Sequence, residues 1–310
     1  MRYPHLTRLL AVACLTGLAT SCAAHSGGQA EAAGGSANSL PSTIASQSVQ
    51  PSPEPTASSQ VQLPLDGYTL ATQQNLVISR AEQLLITDCM RKQGFNYVAT
   101  VQQSGITEHR DAYGLISAAQ AAAYGYHDPG FLNGSKRLVT NKPAYMTDSY
   151  LIALRGFVSP PPAGSKTPPG CEDKADAQLH FGSDPSTANL LGQLGADASQ
   201  RTQADPQVLT VERRWHTCMA AKGFSFDTPA TAAAGPWTSA TQPPSGTEIA
   251  TARADVACKQ QVNLAGIWIG VESAYQRIAI EQNSAALAQI QRDNTARVAR
   301  AEAVLSGQGS

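Results

Sequence analysis

The sequence predicts a mainly α-helical protein with short strands and long loops, built from two disulfide-stapled helical repeats and a long C-terminal helix. Only 6% of the residues are aromatic while alanine is abundant, which favours closely packed helices over a β-sandwich. A cysteine-containing element occurs twice, each time at the end of an apolar segment with helical periodicity. These observations together define the expected fold class.

The repeated element has Cys, Met, Gly and Phe at identical spacing, with an aromatic residue two positions after the Phe. The glycine stands where a helix C-terminus needs a left-handed residue. After the first copy, Phe95, Tyr97, Ala99 and Val101 alternate with polar residues, which predicts a short strand. The copies read Thr87-Asp-Cys89-Met90-Arg-Lys-Gln-Gly94-Phe95-Asn-Tyr97 and Trp215-His-Thr-Cys218-Met219-Ala-Ala-Lys-Gly223-Phe224-Ser-Phe226.

Residues 1–21 have the pattern of a lipoprotein signal peptide. A basic start precedes an apolar run that is shorter than the roughly 20 residues needed to span a bilayer. The residues Leu18-Ala-Thr-Ser before Cys22 resemble a lipobox, so we expect Cys22 to be lipidated. Its two acyl chains would suffice for stable anchoring in the lipid bilayer. Lipidation at Cys14, or an ordinary cleaved signal, are the alternatives.

The rest of the chain divides into a tether and two helical repeats. Residues 22–65 are rich in Ala, Gly, Ser and Pro and predict a disordered tether. The first repeat, with long loops, is expected over 66–204 and the second over 205–310. One very long helix is predicted from Thr247 to about Leu305, with its polar end beyond Asn283 projecting from the fold.

The remaining cysteines, Cys89, Cys171, Cys218 and Cys258, are even in number in a chain predicted to be exported, which indicates disulfides. Three pairings are possible, and the repeat favours Cys89–Cys171 and Cys218–Cys258. A four-cysteine zinc site is the alternative, but no pair has the C-x2-4-C spacing of such sites. We therefore expect neither a metal nor a cofactor.

An aromatic, loop-rich stretch offers the one candidate recognition surface. Tyr113, Tyr124, Tyr126 and Phe131 fall within it, and tyrosine rings supply the amphipathic contact area that sugar or peptide ligands need. The alternative interpretation, which is the commoner arrangement, is a small aromatic cluster that holds a long loop in place.

Charge and motifs exclude several functions. Without residues 1–21 the chain has 20 basic against 23 acidic residues and no basic face, so we expect no nucleic-acid partner. No motif of a nucleophilic, metal-dependent or phosphate-binding enzyme is present, so we do not expect an enzyme. A hydrolase needs only two carboxylates placed by the fold, and Glu108 with Asp111 or Asp173 with Asp176 are the candidates.

The doubled element, followed by Ala254-Asp255-Val-Ala-Cys258-Lys and later by Ile280-Glu281-Gln282-Asn283, resembles a group of uncharacterised lipoproteins of actinobacteria. The similarity covers most of residues 68–300 and implies no particular activity. We expect a lipoprotein anchored to the outer face of the cell membrane. Its expected role is a non-enzymatic binding or assembly component of the cell envelope, with a cell-wall polymer or an envelope protein as partner. A cell-wall hydrolase and an accessory subunit of an exporter or sensor are the alternatives.

Overall fold

Helices connected by turns and loops make up the computed structural model, which describes residues 40–45, 49–99, 113–132, 146–162, 164–180, 183, 187, 189–237 and 242–307. All described residues belong to one compact unit, Asn38–Ser310. The helices are α1 (Thr72–Lys92), α2 (Ala118–Tyr124), α3 (Pro129–Leu132), α4 (Asp148–Arg155), α5 (Cys171–Leu179), α6 (Leu190–Ala204), α7 (Pro206–Ala221), α8 (Pro229–Ala233), α9 (Gly246–Val262), α10 (Leu264–Gln282) and α11 (Ser284–Leu305).

The prediction of short strands is wrong for the described ranges, which contain helices and 3-10 turns but no strand. The alternating residues after Gly94 instead fold back on neighbouring helices. Phe95 packs edge-on against Tyr150 of α4, with ring centroids 5.6 Å apart. The Tyr97 hydroxyl donates to the Gln83 side chain of α1 at 2.8 Å. Side-chain contacts to helices therefore replace the strand pairing that the alternation predicted.

Both copies of the repeated element end their helices in the same way. Gly94 and Gly223 have φ of 82° and 84°, the left-handed conformation that glycine adopts without strain. The following phenylalanine donates its backbone N–H to the methionine carbonyl at 3.0 Å in each copy. Met90 and Met219 are completely buried. The duplication predicted from the sequence therefore corresponds to two equivalent helix C-termini.

Two disulfides join the four cysteines in the pairing that the repeat predicted. Cys89 of α1 is bonded to Cys171, the first residue of α5. Cys218 of α7 is bonded to Cys258 of α9. The bonds close segments of 82 and 40 residues. Each contributes at most about 4 kcal/mol in the chain-entropy model, because it restricts the unfolded chain.

Helix α10 lies at the centre of the main hydrophobic core. Helices α6, α7 and α9 pack against it, as does the 3-10 turn Pro64–Tyr68. Leu264, Val271 and Tyr275 are completely buried, and thirteen of its residues in all are buried. The seam Leu264, Trp268, Val271, Tyr275 and Ile278, spaced at alternating steps of four and three, is only part of the buried surface, because a helix buried around most of its circumference must be apolar or small on most faces.

The prediction of one long projecting C-terminal helix is wrong. Asn263, with φ of 55° in the left-handed region, ends α9, and a second break at Asn283 separates α10 from α11. Helix α11 then packs along α1 and also touches α5. Its contact residues, among them the buried Leu287 and Val304, are widely spaced between polar residues. That sparse pattern is why the sequence indicated a solvated arm.

The predicted tether is packed where the structure describes it. In residues 40–45 and 49–65, which we call the N-terminal segment, several apolar side chains are buried. Ser52 donates its N–H to the Gly266 carbonyl at 3.1 Å, and Asn263 donates its side-chain amide to the Ser52 carbonyl at 3.1 Å. Disorder is therefore a wrong prediction for this part, although its composition is that of a tether. The buried residues are Leu40, Ile44, Val49, Val61, Leu63 and Leu65.

Two glycines of α10 allow this close approach. A Cβ at Gly266 would lie 2.1 Å from the Ser52 carbonyl oxygen, and one at Gly270 would lie 2.8 Å from the Gln50 carbonyl oxygen. Both distances are far below van der Waals contact. The glycines therefore have a packing role, because any side chain would displace the N-terminal segment from α10.

The two sequence repeats do not form separate units in the structure. Helix α1 packs on α11, and α6 packs on α10, so elements before and after residue 204 share cores. Asp205 at the expected boundary is completely buried and accepts hydrogen bonds from Tyr275 at 3.1 Å and from the Ile44 N–H at 3.2 Å. Asp205 therefore connects α6 to α7 in the interior of the fold and not at a domain boundary.

We expect Gly266→Ala to lower the free energy of unfolding by about 1–3 kcal/mol, because the methyl group has no space against the Ser52 backbone. Gly195→Ala is the matched control, since Gly195 is also helical but has open space around its Cβ position. The control should be neutral or stabilising by up to about 1 kcal/mol. Urea denaturation measures both, and equal effects would contradict the packing role of Gly266.

Candidate functional site

The predicted aromatic patch is not a continuous surface. Tyr113 is only 1% exposed, whereas Tyr124 is 36% exposed. Tyr126 is partly buried, and its ring stacks on Trp237 with centroids 5.5 Å apart. Phe131 belongs to the short helix α3, and its side chain lies outside the described part. The prediction of a shared binding surface is therefore wrong for Tyr113 and Tyr126, which hold the loop to the core.

The sequence analysis missed a buried ion pair next to Tyr126. Lys259 and Asp255, one turn apart on α9, are both almost completely buried, with Nζ 2.9 Å from Oδ2. Lys259 also donates to the Leu115 carbonyl at 2.9 Å. Trp215 Nε1 donates to Asp255 Oδ1 at 2.9 Å, and the Tyr126 hydroxyl donates to Oδ2 at 3.2 Å. Burial raises the pKa of Asp255, while Lys259 and these hydrogen bonds oppose that shift.

A second buried carboxylate, that of Glu248, lies about two helical turns before Asp255 on α9. Glu248 accepts from the Tyr126 N–H at 2.9 Å, and its Oε1 lies 2.7 Å from His127 Nδ1. Its other oxygen, Oε2, is buried without a hydrogen-bond partner in the described residues. Gly125, with φ of 56°, lets the chain pass there, since a Cβ would lie 2.6 Å from Glu248 Oε1.

These groups form a structural cluster. We call Tyr126, His127, Trp215, Glu248, Asp255 and Lys259 the buried polar cluster. Its charged members are inaccessible to solvent, so a dissolved substrate has no path to them. The buried polar cluster attaches the loop around Tyr126 to α9, beside the Cys218–Cys258 disulfide. A spacing of four between acidic and basic residues was visible in the sequence, but nothing there showed that the pair is buried.

The carboxylates considered for catalysis have other contacts or lie outside the description. Asp173 accepts the Gly170 N–H at 2.9 Å and caps the start of α5. Asp176 pairs with His180 at 2.8 Å. Glu108, Asp111 and the lipidation candidate Cys22 fall outside the described residues.

An open groove between α1, α5, α6 and α11 encloses about 700 Å³ and has both polar and apolar lining residues. We call it the polar groove. The turn after Pro64–Tyr68 closes one end, and apolar side chains such as Leu191 and Ile290 alternate with polar ones. The polar and aromatic residues that line it are Tyr68, Thr69, Asn75, Asp176, His180, Ser183, Thr187, Asp293, Asn294 and Arg297.

Two polar atoms in the wall of this groove have no protein partner in the described residues. Arg297 Nε and Ser183 Oγ are shielded from solvent and form no hydrogen bond there. By contrast, Arg300 of the same helix donates from Nε to the Leu179 carbonyl at 2.8 Å. Burial lowers the pKa of Arg297, with Asp176 and Glu82 acting in the opposite direction. Unpaired buried donors are rare in native proteins, so each calls for an explanation.

A second groove of about 740 Å³ lies beside the Cys89–Cys171 disulfide. Leu84, Ala175 and Val304 give it an apolar floor, and Lys92 and Lys174 lie at its edge. None of its lining side chains has a buried unpaired polar atom. The two grooves are similar in volume, and both are candidate surfaces for a ligand.

The described residues contain no group of three metal-ligating side chains, and none of their helices is long and apolar enough to cross a membrane. No family model matches the chain, and neither a curated protein nor a solved structure shows significant similarity to it. The class that the fold defines is thus a disulfide-linked, α-helical protein with open grooves.

Removing either member of the buried Lys259–Asp255 ion pair should lower the stability of the fold. We expect Asp255→Asn or Lys259→Met to lower the free energy of unfolding by about 3–5 kcal/mol, because either change leaves a buried charge without its partner. The double variant should cost less than the sum of the two. Asp88→Asn, which removes an exposed partner of Arg91, is the control and should cost less than about 1 kcal/mol. Additive single effects in a double-mutant cycle would contradict the coupling.

Glu54 makes stability depend on pH. Its Oε2 accepts the Gly266 N–H at 3.1 Å, and Oε1 is buried without a partner in the described residues. Burial is the largest effect and raises the pKa of Glu54 from 4.5 to about 7, against the opposing hydrogen bonds of Gly266 and Ala265 and the charge of Lys259. Between these two values the folded state binds more protons than the unfolded chain, so the Glu54 contribution lowers stability as pH rises.

Glu54→Gln should therefore stabilise the protein at pH 8 and change it little at pH 5, because the amide cannot ionise. Thermal unfolding of both proteins at the two pH values measures this difference. Glu281→Gln, at an exposed position of α10, is the control and should shift both values equally. A Glu54→Gln effect that is the same at both pH values would show that Glu54 does not titrate in this range.

Proposed function

We propose that this protein is a lipoprotein, anchored through Cys22 to the outer face of the cell membrane, that binds a component of the cell envelope. The observation that carries the proposal is the pair of disulfides, Cys89–Cys171 and Cys218–Cys258. Disulfides persist in oxidising compartments outside the cytoplasm. The signal-like residues 1–21 and the lipobox-like sequence before Cys22 support the same location, as does the resemblance to actinobacterial lipoproteins.

A binding role is supported by the polar groove. It is open, and it combines apolar walls with hydrogen-bonding groups. Of the carboxylates nominated for hydrolysis, Asp173 and Asp176 support catalysis less well, because Asp173 caps a helix and Asp176 pairs with His180. The proposed role is therefore a non-enzymatic binding or assembly component.

An accessory subunit of an exporter or sensor is the second candidate. It depended on a free C-terminal helix, but α11 packs on α1 and buries Leu287, Ala301 and Val304. Deleting residues 283–310 would expose α1 as well as remove a contact surface. Loss of partner binding in such a truncation would therefore not identify α11 as the docking site.

Anchoring is tested by expressing the full chain in an actinobacterium with a palmitate analogue that can be detected after cell lysis. We expect the wild-type protein to be labelled and to sediment with membranes, because two acyl chains give stable anchoring. Cys22→Ala should be unlabelled and should leave the membrane fraction. Cys14→Ala is the matched control and should behave as wild type. A labelled Cys22→Ala protein, or an unlabelled wild-type protein, would refute the proposed anchor.

A further inference from the structure

We propose that the Cys89–Cys171 disulfide is a thiol-exchange site for the dithiol of a redox partner, whereas Cys218–Cys258 is a permanent structural bond. A thiolate of the partner attacks Cys89 Sγ from the groove beside this bond, which we call the disulfide groove, and Cys171 leaves as the thiolate. This inference goes beyond the proposed binding function and does not rest on it, because it concerns only the chemistry of the two sulfur bridges.

The disulfide groove gives a partner access to one sulfur of this bond. Both cysteines line the groove, which encloses about 740 Å³ and is open to solvent. Cys89 is partly exposed, whereas Cys171 is completely buried. Thiol exchange requires an approach to only one of the two sulfurs, because the other sulfur leaves. Cys89 is therefore the sulfur that is attacked.

The position of Cys171 suits a leaving thiolate. It is the first residue of α5, where the helix dipole and the backbone N–H groups favour a negative charge. The Gln93 side-chain amide also donates to Cys171 Sγ at 3.0 Å. Cys89, by contrast, lies in the last turn of α1, where the dipole disfavours a negative charge. Exchange is faster when the leaving thiolate is the more stable one, so attack at Cys89 is the productive direction.

Charged side chains around this bond are balanced, so the start of α5 and the amide donor decide the outcome. Three cations and three carboxylates line the disulfide groove or lie within two residues of its cysteines. Burial raises the pKa of Glu172, which weakens the opposition of this acid to a thiolate. The groups are Arg91, Lys92 and Lys174 against Asp88, Glu172 and Asp173.

The Cys218–Cys258 bond has the opposite surroundings. Cys218 lies in the last turn of α7 and Cys258 lies near the end of α9, so the helix dipoles disfavour a thiolate on either sulfur. Cys218 Sγ lies 3.4 Å from Gln261 Oε1, an oxygen that cannot donate a hydrogen bond. This bond therefore resists exchange, although Cys218 is partly exposed.

The exchange transfers two electrons in two steps. In the first step, the partner's thiolate forms an S–S bond with Cys89 as the Cys89–Cys171 bond breaks, and the Cys171 thiolate takes up a proton. In the second step, the partner's other thiolate attacks the partner sulfur of this mixed disulfide, and Cys89 leaves and is protonated. The chain then carries two thiols, and the partner dithiol has become a disulfide.

The test uses the oxidised full chain with Cys14→Ser and Cys22→Ser, so that only the disulfide cysteines remain, and dithiothreitol as the dithiol. Samples taken over time at neutral pH are quenched with acid, alkylated and mapped by mass spectrometry, which follows each bond separately. We expect the bond in the disulfide groove to open at least about tenfold faster than Cys218–Cys258, because its leaving thiolate is stabilised. The second bond is thus an internal control in the same molecule.

A matched pair of variants tests the amide donor. Gln93→Met keeps the length of the side chain but removes the donor, so it should slow the opening of Cys89–Cys171 by about threefold or more. Gln261→Met, the counterpart beside the other bond, should leave that rate unchanged. Circular dichroism of each oxidised variant verifies its fold. If Gln93→Met does not fold, the comparison of the two bonds in the parent chain still decides.

Glutathione, a monothiol, identifies the attacked sulfur, because its mixed disulfide can be trapped with acid and mapped. We expect glutathione on Cys89 and not on Cys171. Glutathione on Cys171, opening of Cys218–Cys258 that is as fast as that of Cys89–Cys171, or an unchanged rate in a folded Gln93→Met variant would each overturn the inference. None of these results bears on anchoring, which the palmitate labelling experiment decides separately.

Discussion

The burial of α10 is the constraint on which the other parts of the structure depend. A helix surrounded by α6, α7, α9 and the N-terminal segment must offer close-packing surface on most sides. Its sequence does so with large residues such as Trp268 and Tyr275 and with the small Gly266 and Gly270. At Gly266 and Gly270, the backbone of the N-terminal segment occupies the space that side chains fill elsewhere in the core. Without that approach, residues 49–52 could not pack against α10.

The two disulfides join other helices to each other, and neither bond involves α10 itself. Cys218–Cys258 joins α7 to α9, two of the helices that pack on α10. Cys89–Cys171 joins α1 to α5 in a smaller core with Tyr150 and Leu154. The buried polar cluster lies beside the Cys218–Cys258 bond and attaches the Tyr126 loop to α9. Covalent, polar and apolar contacts therefore fix the same helix pairs, and that consistency favours a single fold.

Local signals in the sequence were enough to predict a mainly helical fold, the equivalent C-termini of α1 and α7, and both disulfide pairs. Cysteine and glycine at fixed spacing carry that information within a few residues. What could not be predicted depends on distant contacts. Residues 40–45 and 49–65 have the composition of a tether, and their packing depends on contacts with α10 and with distant residues such as Asp205. The burial of Lys259 and the position of Arg297 in a groove likewise require the three-dimensional packing, since neither residue differs locally from an exposed one.

An open groove between α1, α5, α6 and α11 also follows from this arrangement, because α11 returns from the central core to pack on α1 and α5. Amide hydrogen exchange across the whole oxidised chain tests the central role of α10 most directly. The account predicts that amides from Ile267 to Ala279 exchange slowest and only through global unfolding, while those of α1 and α11 open locally at lower free energy. Exchange of the α10 amides that is as fast as that of α11 would contradict it.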